Sequence, residues 1–169
     1  MEIEIQLTDR PIAERIFSPG QPGAAGAWLE FRGVVRGEEN GQAIRAIEYE
    51  AYPEMAGREI RRLLQEISTR HPCRAARVIH RVGVIPTCET AIYVGVASPH
   101  RGEAIALLAE FMDRLKQDVP IWKRRALPLN VVGDDVRSLT LNSQQLETPH
   151  VVLYRSVDEA RADIRAHCA

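Results

Sequence analysis

Apolar and polar residues alternate over positions 2–7, the two-residue period of a half-buried strand. Pro19, Gly20, Pro22, Gly23 and Gly26 then predict a loop over 17–26. Residues 27–36 predict a second strand, Glu39-Asn40-Gly41 a turn, and 44–52 a third strand, so the two strands read as a hairpin. From Pro53 the period becomes helical: Ala56, Ile60, Leu63, Leu64 and Ile67 share one face, and His71-Pro72 marks the end. Pro53 suits the first helical turn, where its missing N–H costs nothing. A fourth strand is predicted over 76–85 and a fifth over 90–97, joined by the turn Pro86-Thr87-Cys88-Glu89.

Ser98 reads as the N-cap of a second helix, with Pro99 at its first position. Ile105, Leu108, Met112 and Leu115 form the expected buried stripe, widened by Leu107 and Phe111. Pro120 ends this helix, which leaves Lys116 in the last turn and Lys123 on an extended segment. Beyond Arg125 the character changes. Short strands are expected over 131–141 and at 150–154, and Ser156 and Glu159 have capping-box spacing ahead of a helix to about His167. The order of elements argues for an α+β fold with a mostly antiparallel sheet and two main helices. Residues 1–125 form the expected domain, and 126–169 a C-terminal β/α extension.

At 169 residues the chain buries enough surface to fold without a staple. Its formal net charge of −1 gives no footprint for nucleic acid or an anionic membrane, so any positive site is local. Cys73, Cys88 and Cys168 are odd in number and widely spaced, which fits a reduced, cytoplasmic setting. His71, Cys73, His167 and Cys168 match no metal-ligand spacing, and no metal is expected. The acidic, alternating N-terminus is wrong for a signal peptide, and no apolar run approaches membrane-spanning length. One compositional fact changes the picture. Of the 22 basic residues only Lys116 and Lys123 are lysines, and both fall in one short stretch. Arginine replaces lysine wherever charge alone is wanted, but not where a small amine able to lose its proton is needed.

Further basic groups stand at element ends. Arg36 closes the second strand, and His100 and Arg101 lie at the start of the second helix, where free N–H groups and the helix dipole favour an anion. Trp122 beside Lys123 can serve as an apolar wall or as core. His80 reads as a hydrogen-bonded structural histidine, and Cys88 has no obvious activating base. No nucleophile elbow, P-loop or dinucleotide fingerprint is present. Arg36, His100, Arg101, Lys116 and Lys123 together suit a phosphorylated substrate.

Five collinear segments resemble the large, catalytic subunit of molybdopterin synthase, the MoaE family. They are Phe31-x-Gly33-x-Val35-Arg36, Glu48-Tyr49-Glu50-Ala51-Tyr52-Pro53-Glu54-Met55-Ala56, His80-Arg81-Val82-Gly83, Ser98-Pro99-His100-Arg101, and the run from Asp113-Arg114-Leu115-Lys116 through Val119-Pro120-Ile121-Trp122-Lys123-Arg124. The resemblance implies an α/β-hammerhead fold, a homodimer, and a ubiquitin-like small subunit on each protomer, making a heterotetramer. The small subunit would end in a Gly-Gly thiocarboxylate and supply the sulfur, so no further cofactor is implied. Its sulfur would pass twice to cyclic pyranopterin monophosphate, giving the molybdopterin dithiolene. Residue by residue, the resemblance implies a substrate pocket of Val34, Val35, Arg36, His100, Arg101, Lys116, Lys123, Arg124 and Arg125, with Lys116 the essential group and Lys123 assisting. The extension would pack on the same domain or on the dimer partner. The family pattern has glycine where this chain has Cys88, and an acidic residue where it has Arg125. The alternative reading is a non-catalytic relative that binds a ubiquitin-like partner or a pterin phosphate.

Overall fold

A computed structural model describes residues 1–13 and 25–129. Most of the loop expected over 17–26, and the strands and helix expected beyond residue 130, lie outside the described residues. In chain order the elements are β1 (Glu2–Thr8), β2 (Ala27–Val34), β3 (Glu38–Glu39), β4 (Gln42–Ala51), α1 (Pro53–Arg70), β5 (Ala75–Arg81), β6 (Gly83–Pro86), β7 (Thr90–Ser98), α2 (Arg101–Asp118) and β8 (Ile121–Pro128).

Two sheets result, and the fold is α+β. The first has the order β1-β5-β7-β2, antiparallel except where β1 runs parallel to β5. In the second, β4 is flanked by β3 and β6, and β8 also pairs with β4. The main core lies between the helices and the first sheet. There α1 buries Ala56, Ile60, Leu63, Leu64 and Ile67, the face the helical period predicts, against Val78, Val94 and Val96 of the sheet. Fully burying one such side chain contributes roughly 1.5–3 kcal/mol. A smaller core of Val35, Ile44, Ile47, Ile85 and Ala91 holds the second sheet to the first.

Three expectations change. The single strand expected over 76–85 is two, because Gly83 adopts φ +80, a conformation open to glycine at no steric cost. Val82 N–H still donates to the Thr8 carbonyl of β1, and from Gly83 the chain pairs with β4 in the other sheet. The second helix begins at Arg101 with His100 as its N-cap, not at Ser98. Ser98 is the buried last residue of β7, held by its pairing with Ala27, and its hydroxyl donates to the Pro72 carbonyl. The buried face of α2 is Ala104, Leu107, Phe111 and Leu115; Leu108 and Met112 are partly buried beside it, and Ile105 is exposed.

Ion pairs tie the two helices together at their polar margins. Arg114 on α2 reaches Glu66 on α1 at 2.6 Å, and Glu110 holds Arg70 and His71. The second pairing commits His71 to a carboxylate. Among the described residues no helix is long and apolar enough to cross a membrane. Strand β8 runs to Pro128, past the domain boundary expected at residue 125, with Ala126 opposite Ile47 and Leu127 opposite Ala46.

Candidate functional site

Asn40 and Gly41 both have positive φ, 50 and 78, the requirement of the tight two-residue turn that joins β3 to β4. That turn fixes Glu39, which the sequence presents only as the first residue of a turn. Its carboxylate gathers two basic residues from distant parts of the chain. Oε1 accepts from the Lys123 amine on β8, and Oε2 lies 3.7 Å from the Arg36 guanidinium. The Lys123 hydrogen bond holds the Glu39 carboxyl below the usual carboxylate range; partial burial opposes this, and the charges of Lys123 and Arg36 add to it.

Strand β8 is irregular where it passes this cluster. Glu48 stands opposite Arg125 and Tyr49 opposite Lys123, so Arg124 is an extra residue in the ladder. A bulge of this kind bends the strand and re-aims neighbouring side chains. The basic run is matched by acids across the pairing, with Arg125 2.6 Å from Glu48 and Arg124 3.0 Å from Glu50. The positive charge of Arg125, where the resemblance expects a negative one, is therefore compensated by Glu48. Burial pushes the Tyr49 phenol up, and the Glu39 charge adds to the shift. Its ring meets His80 edge-on at 5.5 Å. His80 is buried, with Nδ1–H donating to the Arg81 carbonyl at 2.7 Å, and burial lowers its pKa; it is structural, as its sequence setting suggests. Trp122 is not core. It is 46% exposed and meets the exposed Tyr52 ring edge-on at 5.6 Å, forming an apolar shelf beside Lys123.

The segment that carries Arg36 is held from behind. Val35 donates its N–H to the Glu89 carbonyl and accepts from the Cys88 N–H, at 3.0 and 2.8 Å. The Glu89 carboxylate is in turn gripped by Arg81, a guanidinium only 4% exposed, at 2.5 Å. Arg81 thus steadies the turn that steadies Arg36, a role its sequence neighbours did not disclose. Cys88 in that turn has φ +66, which suits the glycine of the family pattern better than a side chain. Val34 is exposed, but the Val35 side chain is buried in the smaller core and does not line an open pocket.

Lys116 is exposed in the last turn of α2, and Val119 and Pro120 lead directly from that turn into β8. Lys116, Lys123, Arg36 and Glu39 therefore belong to the end of the molecule where α2 passes into the second sheet. His100 and Arg101 do not. They are exposed at the opposite end of the 18-residue helix. At 1.5 Å per residue, His100 and Lys116 are about 24 Å apart along the axis. One chain cannot close all five expected cations around one small molecule.

Cavity size does not single out this region. An open groove between β1 and α1, lined by Ile5, Leu7, Pro53, Gly57, Arg58 and Arg61, is roomier than the more enclosed one along Glu48, Tyr49, Glu50, Arg124 and Arg125. The roomier groove has none of the expected site residues. Among the described residues no three metal-ligating side chains converge. Cys73 is a buried free thiol whose pKa is raised by burial, His71 is paired with Glu110, and His167 and Cys168 lie outside the described residues.

Comparison with known proteins bears on this arrangement. A family model described as MoaE protein matches residues 6–118. The chain belongs to the MoaE family. The molybdopterin synthase catalytic subunit of Thermoplasma volcanium is 38% identical over 103 residues, covering 61% of this chain and 75% of that protein. The human catalytic subunit is 34% identical over 119 residues, covering 70% of this chain and 61% of its own length. The crystal structure of molybdopterin synthase from Staphylococcus aureus superposes with a TM-score of 0.64 at 29% identity, over 73% of this chain and 90% of that one. A Helicobacter pylori complex of subunits 1 and 2 of molybdopterin-converting factor shares the fold, with a TM-score of 0.54 at 15% identity over 75% and 89% of the two chains. The MoaE family is thus an enzyme-subunit family of molybdenum cofactor biosynthesis.

Proposed function

We propose that this MoaE-family chain is the sulfur-transferring subunit of a molybdopterin synthase, with cyclic pyranopterin monophosphate as substrate. Sulfur comes from the thiocarboxylate at the Gly-Gly terminus of a ubiquitin-like small subunit. In each of two rounds the thiocarboxylate sulfur bonds to a substrate carbon as a carbon–oxygen bond at that carbon breaks, the displaced oxygen leaving on the opened phosphate ester in one round and as water in the other. A further water then cleaves the bond between that sulfur and the small subunit's acyl carbon. The acyl group leaves as a carboxylate, and the sulfur stays on the pterin as a thiolate. The observation that carries the reading is the exposed Lys116 amine at the exit of α2, a short connection away from the Lys123–Arg36 pair. Negative charge builds on oxygen as the acyl group is hydrolysed and the cyclic phosphate opens, and fixed cations stabilise it without reorganising. Lys116, with no ion pair among the described residues, is the amine free to relay a proton or accept the acyl group.

The separation of about 24 Å along α2 supports a homodimer whose sites are shared. His100 and Arg101 of one copy complete the cation set around Lys116 and Lys123 of the other. Both flank a helix N-terminus whose N-cap makes no side-chain hydrogen bond, leaving N–H groups for the substrate phosphate. With a small subunit on each protomer the assembly is a heterotetramer, working in the cytoplasm. Arg124, Arg125 and Val34 line the approach. The test supplies thiocarboxylated small subunit and substrate and reads product by fluorescence of its oxidised form. Lys116→Ala is expected to lower product formation by at least about 10²-fold. Unchanged turnover would remove Lys116 from the mechanism, and substrate binding without conversion by the unaltered chain would favour a binding-only relative.

A further inference from the structure

The cation pair at the α2–β8 end is already occupied by a group of the same chain. Arg36 follows β2 and Lys123 lies on β8, and Glu39 bridges them with one carboxylate oxygen towards each. Two oxygens of a tetrahedral phosphate would face the same two cations in the same way. The geometry points to Glu39 as an internal placeholder: its carboxylate sits where an anionic group of the substrate binds, and it must be displaced before that group engages Arg36 and Lys123. The proposal rests on reading this end of the chain as a substrate site, and it assigns Glu39 a part in setting how tightly and how selectively anions bind there.

Three observations favour displacement over a purely structural pair. The cluster opens to solvent, since the Arg36, Lys123 and Glu39 side chains are 81%, 35% and 20% exposed. The Glu39 backbone is pinned by the Asn40-Gly41 turn, so the exchange needs only its side chain to swing away. The three charges leave the cluster net positive, so an incoming dianion gains by replacing a monoanion. Glu39 would also keep the two cations from repelling each other while the site is empty, and hold off weaker monoanions. It is a specificity-setting residue and takes no part in bond making.

The test is a titration of the full chain with inorganic phosphate, followed by calorimetry, for the unaltered protein, Glu39→Gln, Glu39→Ser and the double variant Glu39→Gln/Lys123→Ala. Both single variants should bind phosphate about fivefold more tightly, the size of effect expected on removing a partly exposed ion pair. The double variant should lose that gain. Two independent replacements, each checked for cooperative melting, guard against one that fails to fold. Phosphate binding that is unchanged or weaker in both single variants would overturn the proposal. A gain that persists without Lys123 would overturn it too, by placing the anion elsewhere. Turnover is read separately. If the binding shift appears but no variant and no unaltered protein transfers sulfur, the placeholder stands and the sulfur-transfer reading falls. If turnover is intact and the shift is missing, only the placeholder falls.

Discussion

A helix can serve as a ruler for where the active site is assembled. Take two chains, one carrying Lys116→Ala and the other Arg101→Ala, each inactive as its own homodimer. His100 and Lys116 bracket α2, about 24 Å apart along its axis. A pterin phosphate is far shorter than that, so in the proposed homodimer each site would draw the two residues from different copies. In a mixed dimer one site then lacks both groups and the other is intact. Random mixing of equal amounts makes half the dimers mixed, with one working site of two, so activity should recover to about a quarter of the unaltered value, given a two-fold dimer. The assay denatures and refolds the two variants together, isolates dimers by gel filtration, and measures product with excess thiocarboxylated small subunit. Separately refolded variants combined just before the assay give the background. If every residue acted within its own chain, no mixture would contain an intact site. Activity that stays at background in verified mixed dimers would refute the shared-site argument.

Phe111 is fully buried at the centre of the helix layer, so Phe111→Ala should cost about 3–5 kcal/mol in chemical denaturation; a loss below about 1 kcal/mol would show that the layer collapses around the gap. His80 gives a pH dependence whose sign is fixed. Its pKa is lowered by burial, partly offset by its hydrogen bond to the Arg81 carbonyl, so the unfolded chain takes up a proton near 6.5 while the folded one does not. Stability from this group is therefore full above the unfolded value and falls as pH drops through it. Denaturation at about pH 7.5 and about pH 5.5 should show a smaller loss for His80→Gln than for the unaltered protein, and equal losses would exclude His80 as the source.

Local rules read α1 correctly because four of its five buried positions are isoleucine or leucine at helical spacing on one face. On α2 they erred because Ala104 is fully buried though too small to mark a face, while Ile105 on the neighbouring face meets solvent. The run from 76 to 85 looked like one strand because apolar alternation does not register a change of sheet; only the backbone at Gly83 does. The cationic residues stand out in composition and order, and only a two-residue link separates the elements that carry Lys116 and Lys123. Glu39 was not legible, since the pairing of β4 with β8 brings Lys123 to it across more than 80 residues of sequence. The division of the cation set between the two ends of α2 follows from helix length, and a list of motifs carries no distances. Arg81 reads as one more basic residue until its burial against Glu89 is seen.

The link between α2 and β8 is only Val119 and Pro120, and the register beyond it sets Lys123 opposite Tyr49. Such a joint tolerates change of composition far better than change of length. One added residue, unless the link itself absorbed it, would present Trp122 to the Lys123 slot and leave Glu39 facing an indole. The number of residues between the two lysines therefore matters to the site as much as their identity, because it is the length of this joint that delivers Lys123 to Glu39.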